Sequence, residues 1–428
     1  MPDRDPQPSP HAPAEQPSGF STRAIRAVHR APRVDQRPTS VPIYQTVTFA
    51  SEDAGELGAV LTGEQPGYAY GRIDNPTTAA LGAAVAELEG AEDGLALATG
   101  MAAIHAAIVS LVSAGDRIVA TRAAYGTSRA LFEEVLRRLG VMTDYVDIAD
   151  HAAIEAAVAA FPTRILYAET IANPTIVVAD HAALAAIAHR HGARYVVDNT
   201  FASPYLCRPI ELGADLVVES ATKFLSGHSD VLAGVVVGSR ALVDPIRALQ
   251  VDTGATLAPH SAFLVMRGMA TLAIRMERHS ATASALAAWL ERQAGVSRVY
   301  HPSLASHPQA GVAARQLALG GGMLAFELEG GRAAGEAFID ALTIPELTAS
   351  LGSVFTMVVH PPSTTHRQLD DAALASAGIT AGLLRCSVGL EDLDDLIADF
   401  AAGLDAARRA SSAGDAGAAD VDPAPATV

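Results

Sequence analysis

Ala214-Asp215-Leu216-Val217-Val218-Glu219-Ser220-Ala221-Thr222-Lys223-Phe224-Leu225-Ser226-Gly227-His228 is the stretch on which the reading of this chain turns. Ala214 to Val218 form a short apolar run that reads as a buried strand. A Ser-x-Thr-Lys turn follows and closes on Ser226-Gly227-His228. The carboxyl edge of a parallel sheet is where ligand sites of α/β folds lie. Of the 30 Lys and Arg residues among 428, Lys223 is the one lysine. The arginines keep their protons in proteins and cannot serve as amine nucleophiles. A lysine held at a strand end is open to desolvation, which lowers its pKa and lets it form a Schiff base with a carbonyl cofactor or substrate. The competing reading is a snorkelling surface lysine in an arginine-biased composition.

Half of the residues are hydrophobic, and 428 of them suffice for a large core and more than one domain. A formal net charge of -17 disfavours nucleic acid and anionic membrane surfaces, which bind through clustered Lys and Arg. Cys207 and Cys386 lie in apolar segments without paired spacing and read as reduced core thiols of a cytoplasmic protein. The first residues lack the apolar segment of a secretory signal, and no apolar run is long enough to span a bilayer. Composition divides the chain into tails at 1–19 and 410–428, expected to be disordered, an arm at 20–64, a large domain at 65–255 and a C-terminal domain at 256–409.

Asn75-Pro76 reads as an N-cap followed by proline at the first helical position, predicting a helix from Pro76 to Glu89. Strand-like runs then follow at Leu95 to Ala98, Arg117 to Thr121, Thr143 to Val146, Arg164 to Ala168, Arg194 to Val197, Asp215 to Val218 and Val231 to Val237. Helical patterns at Ala102 to Ser113, Thr127 to Leu139, His151 to Ala160 and His181 to His191 are interleaved with them. The alternation predicts an α/β fold with a mostly parallel sheet covered on both faces. After Asp252 a long helical stretch, His260 to Gln293, precedes strands at Val296 to Tyr300, Gly322 to Leu328 and Leu383 to Val388. Helices at Gly335 to Ala341 and Asp392 to Ala407 complete a smaller α+β domain.

Four pieces join Lys223. Ala98-Thr99-Gly100-Met101-Ala102 passes from strand to helix through a glycine, so its backbone N–H groups are suited to a phosphate. Ser220 and Thr222 add hydroxyls to the same anion. Asp198 ends its strand at the same sheet edge, where a carboxylate either pairs with a protonated pyridine nitrogen or caps the next turn. Arg385 lies inside the apolar strand Leu383-Leu384-Arg385-Cys386-Ser387-Val388 and needs a partner, either a substrate carboxylate held bidentate or Glu391 or Asp392. No dinucleotide fingerprint and no Gly-Lys-Ser/Thr loop occurs, which argues against a nicotinamide dehydrogenase. His181, His189 and His191 read as a solvated helix, without the company a metal site requires. His360 and His366 are expected in a loop near the substrate, and Trp289 in the core.

In this order the motifs resemble the pyridoxal-phosphate enzymes of cysteine and methionine metabolism. The resemblance runs from about Phe20 to Arg409. It rests on Tyr70-x-Arg72 with Asn75-Pro76-Thr77, Thr99-Gly100-Met101-Ala102-Ala103, Val197-Asp198-Asn199-Thr200, Ser220-Ala221-Thr222-Lys223 and Arg385-x-Ser387-Val388-Gly389-Leu390-Glu391-Asp392. It implies an aspartate-aminotransferase-like fold (fold type I) and a homotetramer of two tight dimers. It further implies that Lys223 carries pyridoxal 5'-phosphate, that Asp198 pairs its ring nitrogen and that Gly100, Met101, Ser220 and Thr222 hold its phosphate. Tyr70 and Arg72 are expected to reach the phosphate in the neighbouring subunit, Tyr125 to stack on the ring and move protons, and Asn173 to contact the ring hydroxyl. Ser350 and Arg385 are expected to hold the substrate end.

The resembling enzymes perform γ-elimination or γ-replacement, and departures from their pattern bear on which applies. Ala69 and Phe355 stand where cystathionine-handling members place acids, so a distal ammonium would be poorly compensated. Thr127 replaces a cysteine typical of methionine γ-lyases, while Pro362-Ser363-Thr364-Thr365-His366 looks like sulfhydrylase members. The leading expectation is γ-elimination on methionine or homocysteine, giving 2-oxobutanoate, ammonia and a thiol or sulfide. The alternative is γ-replacement on an O-acylhomoserine. β-Elimination on cysteine or cystathionine and a cofactor-binding protein without turnover stand behind these.

Overall fold

A computed structural model describes residues 38–419, apart from 366, 368–371, 373 and 375–377 and the side chains of 413–419. The 1–19 tail, His366 and the last nine positions of the C-terminal tail therefore lie outside the described residues. The described residues from Ile43 on form one body. Its larger sheet has seven strands in the order β1-β7-β6-β5-β4-β2-β3. These are β1 (Asp93–Leu97), β2 (Arg117–Thr121), β3 (Met142–Val146), β4 (Thr163–Glu169), β5 (Arg194–Asp198), β6 (Leu216–Glu219) and β7 (Gly234–Gly238). β6, β5, β4, β2 and β3 pair in parallel, and β7 runs antiparallel between β1 and β6. Apolar clusters cover both faces: Val197, Val217 and Val235 face one, Val196, Val218 and Val236 the other. The strands can therefore be apolar throughout, as predicted.

The helix Pro76–Glu89 begins as its sequence requires. Asn75 accepts a hydrogen bond from Thr77 N, Pro76 takes the first turn, and Gly90 closes the helix in the left-handed region at φ 73°. A second sheet, β10-β11-β12-β9-β8, is built from β8 (Val296–Tyr300), β9 (Met323–Leu328), β10 (Glu346–Leu347), β11 (Met357–Val359) and β12 (Leu383–Ser387). Only its short β10–β11 pair is parallel. Phe326, Phe338 and Phe400 pack at centroid separations of 5.4 to 6.2 Å beneath it. The α/β class and the smaller second sheet thus agree with expectation.

Several local expectations differ. The helix predicted at Thr127 to Leu139 is one α-helical stretch, Gly126–Ala130, that widens to a π-turn and tightens to a 3-10 turn before Gly140. The helical stretch predicted at His260 to Gln293 is two helices, Pro259–Met269 and Leu272–Leu290, parted at Ala270-Thr271. Arg240–Thr253 is an amphipathic helix that sequence reasoning passed over because Pro245 interrupts it one turn in. The arm contains a short helix, Ala54–Thr62, with no buried side chain. The closing helix, Leu393–Ala419, continues past the expected end at 407. His181 is fully buried, not solvated: Nδ1 meets Tyr195 Oη at 2.7 Å and Nε2 meets Thr170 Oγ1 at 3.1 Å. Burial lowers its pKa to about 4, so it is neutral. His189 and His191 do lie at the surface, against Asp215 and Glu155.

Candidate active site

The carboxyl ends of β4, β5 and β6 deliver Glu169, Asp198 and Glu219-Ser220 to one edge of the large sheet. A cavity of about 730 Å³ opens there, lined by Gly100, Met101, Tyr125, Asn173, Asp198, Ser220, Thr222, Lys223 and Arg385 among others. Nine of the twelve residues singled out from sequence thus converge. Ser350 joins them by contact, since Lys223 Nζ donates to its Oγ at 2.9 Å. Tyr70 and Arg72 do not reach this cavity. Tyr70 is 40% exposed, and Arg72 lies over its ring while donating to Val251 O.

Lys223 is pushed down to about 8, first by burial and then by the Arg385 guanidinium. A minority of its amine, far above that of an ordinary lysine, is therefore neutral near physiological pH. Arg385 itself is 5% exposed, donating from Nη1 to Asn173 Oδ1 and from Nη2 to Ser350 O, each at 2.9 Å. Its Nε has no partner among the described residues. Neither of its sequence rivals takes it: Glu391 accepts from Thr356 N and Oγ1, and Asp392 pairs with Arg278. Asp198 does cap the next turn, accepting from Thr200 N at 3.0 Å, and its other oxygen lies 3.5 Å from Tyr167 Oη.

Glycine at position 100 is a packing requirement. A Cβ there would stand 2.7 Å from Ser220 Cβ, and Gly234 on β7 admits the Thr99 carbonyl for the same reason. The helix Gly100–Val109 consequently starts against Ser220, with Thr99 Oγ1 accepting from Ala102 N. Thr222 Oγ1 is already engaged with Ala233 N and O, at 3.0 and 3.2 Å.

Glu169 was missed in sequence. Its carboxylate accepts from Tyr125 N at 2.5 Å and from Asn173 N at 3.2 Å, pinning the segments that carry two candidate residues. It stands in register with Asp198 on the neighbouring strand. Burial and that neighbouring carboxylate both raise its pKa. The signal was available: each is the last residue of a strand, and adjacent parallel strands bring such residues side by side.

The model of one family, described as the Cys/Met metabolism PLP-dependent enzymes, matches residues 21–405. The chain belongs to that family. Its members are pyridoxal-phosphate enzymes, and the resemblance drawn from the motifs agrees. An L-methionine gamma-lyase of Pseudomonas putida is 48% identical, over 89% of this chain and 96% of that protein. An O-succinylhomoserine sulfhydrylase of Pseudomonas aeruginosa is 42% identical, over 90% of this chain and 95% of that one. The crystal structure of cystathionine gamma synthase from Xanthomonas oryzae pv. oryzae with aminoacrylate and cysteine superposes at a TM-score of 0.82. It shares 38% identity and covers 87% of this chain and 94% of that one. The fold type of the family is therefore that of this PLP-dependent enzyme. Among the described residues no helix is long and apolar enough to cross a membrane, and no cluster of His, Cys, Asp and Glu is placed to hold a metal.

Proposed function

We propose that this PLP-dependent enzyme performs γ-elimination on methionine or homocysteine, giving 2-oxobutanoate, ammonia and a thiol or sulfide. The observation that carries the reading is Arg385, a buried guanidinium with an unpartnered Nε beside a lysine amine, at a cavity whose other walls include Ile104, Ala130, Leu232 and Leu351. Such a site suits an α-carboxylate at one end and a short apolar thioether at the other.

The residues present fit the cofactor. Lys223 Nζ would hold it covalently, Asp198 would face its ring nitrogen, and the N–H groups of Gly100 and Met101 with Ser220, and with Thr222 once its hydroxyl turns from Ala233 O, would take its phosphate at a helix start. Tyr125 would lie on the ring, and Asn173 would face its hydroxyl. When bound, the cofactor supplies an electron sink that stabilises negative charge on the substrate's α and β carbons. Arg385 orients the α-carboxylate, and Ser350 Oγ holds the Nζ of Lys223. Lys223, neutral once displaced, would accept the α proton, hand it on to the conjugated system and so be free again to accept a β proton. Tyr125 donates a proton to the departing sulfur. Water then releases ammonia and the keto acid.

Tyr70 and Arg72, remote from the cavity of their own chain, support a dimer whose sites are shared. Exposed Ile43, Tyr44 and Val47 on the arm offer apolar surface for such an association, in keeping with a homotetramer of two dimers. Two buried free thiols, Cys207 and Cys386, suit a reducing cytoplasmic setting. The second reading is γ-replacement on an O-acylhomoserine, favoured by Thr365 against the cavity and by the sulfhydrylase relative.

The test is 2-oxobutanoate production from methionine, homocysteine and O-acetylhomoserine, the last with and without sulfide. Keto acid from methionine or homocysteine alone, abolished by Lys223→Ala, is the expected result. Reaction of the acylated substrate only, diverted to homocysteine by sulfide, would establish γ-replacement instead.

A further inference from the structure

Glu89 and Glu219 form a buried acid pair that the chemistry above does not use. Glu89 is the last residue of the helix Pro76–Glu89, and Glu219 ends β6 immediately before Ser220. They are 0% and 3% exposed, and their side chains meet. Two ionised carboxylates are acceptors only and cannot bond each other, whereas a carboxylic acid donates to a carboxylate. Glu89 Oε2 and Glu219 Oε1 are buried without a hydrogen-bond partner among the described residues. Among the described residues no buried cation neutralises them: Arg208 sits in a half-exposed ion pair with Glu211 at 3.0 Å.

The pair is tied to both segments proposed to hold the cofactor. Asn199 Nδ2 donates to Glu89 Oε1 at 2.7 Å and to Cys207 O at 2.9 Å, while Asn199 Oδ1 accepts from Thr170 Oγ1 at 2.7 Å. Asn199 sits between Asp198 and Thr200, and Thr200 Oγ1 accepts from Ser220 N at 2.8 Å. Displacing either carboxylate therefore moves Asp198, Ser220 or both.

We propose that Glu89 and Glu219 share one proton, and that this acid–carboxylate pair is a positioning unit that fixes the Asp198 strand end against the Ser220 turn. The proposal rests on the placement of the cofactor between those segments and on none of the substrate readings.

Losing the proton leaves two like charges in a dry site. Burial and mutual repulsion hold the folded pair's last proton above the usual carboxylate range, with Asp198 and Glu211 adding to that rise and Arg208 opposing it. The adjacent Cys207 thiol, pushed up to about 12, stays neutral. By linkage, the pair's contribution is complete below the ordinary glutamate pKa and drains away as pH rises through the folded value.

Glutamine at either position supplies permanently the hydrogen that the pair must otherwise bind. The experiment measures melting of the cofactor-free protein and the dissociation constant for pyridoxal phosphate from pH 6 to 9, for wild type, Glu219→Gln, Glu89→Gln and Glu219→Leu. Lys223 titrates equally in all four, so the readout is the difference between them. Relative to either glutamine variant, wild type is expected to weaken for the cofactor by up to about tenfold per pH unit beyond the pair's titration, the limit for one linked proton. Relative to theirs, its melting temperature should fall as pH rises toward that titration and level off beyond it, and Glu219→Leu should bind weakly throughout. Parallel profiles in wild type and glutamine variants, a leucine variant equal to the glutamine one, or failure of both glutamine variants to fold would each overturn the shared proton. A melting difference without an affinity difference would overturn the link to Asp198 and Ser220, leaving the substrate assignment untouched.

Discussion

Two buried arginines attend the Lys223 segment, and they are satisfied to different degrees. Arg275, 3% exposed, donates to Phe224 O at 2.7 Å, Leu225 O at 3.2 Å, Gly268 O at 2.9 Å and Thr271 Oγ1 at 3.1 Å. Arg385, buried to a similar extent, has two acceptors and an idle Nε beside the cavity. Burial lowers both to about 10, so both stay charged at neutral pH. A guanidinium closed by carbonyls fastens the chain behind the lysine. One left open has capacity for a ligand that the protein does not itself provide.

The sharpest way to break this contrast is to remove both charges in turn. Arg385→Leu should cut kcat/KM by about a hundred- to ten-thousandfold, the range for stripping the partner from a desolvated carboxylate, while Tm holds or rises. Arg275→Met should do the reverse. Two buried carbonyls, Phe224 O and Leu225 O, lose their donor at a cost of about 1–3 kcal/mol each, while Gly268 O keeps Thr271 N and Oγ1, so Tm falls clearly and kcat/KM of the surviving folded enzyme changes less than about tenfold. Calorimetry beside steady-state kinetics checks both, and a variant at either position that loses activity and stability together would erase the distinction.

A smaller effect is expected at Glu169. Glu169→Gln keeps one acceptor for the N–H groups of Tyr125 and Asn173 but sets an amide hydrogen against the other. This should lower kcat/KM by about five- to a hundredfold, from a loss of about 1–3 kcal/mol. Glu169→Asp, too short to reach both, should not restore it.

The smallest expected change is a titration. The reaction rate of Lys223 with an amine reagent in the cofactor-free protein should rise with pH to a midpoint near 8, because only the neutral amine attacks. In Arg385→Leu the midpoint should move toward the ordinary lysine value, with burial still holding it below. An unmoved midpoint would show that Arg385 does not act on the amine.

Most of the fold was legible because the strands carry their own signal. The short apolar runs of β2, β4, β5 and β6 lie between helices and turn residues, so their periodicity needs no tertiary information. Lys223, Asp198 and Arg385 were legible as chemical exceptions: a lone amine, a carboxylate at a strand end and a cation in an apolar strand. What escaped depends on contacts between distant segments. His181 looked like a surface residue until Tyr195 and Thr170 were seen around it. Glu169 acquired its role only when strand register set it beside Asp198. Arg275 lies in a helix with nothing local to distinguish it, and its partners are some 50 positions away in sequence.

The solitary lysine also governs how the chain can be cut. A protease that cleaves only after lysine has one peptide bond to attack, Lys223-Phe224, and Phe224 is wholly buried. Cleavage into two large fragments would therefore report exposure of this one bond at the catalytic centre, by local or global opening, and a cofactor fastened to Nζ would mask even that bond.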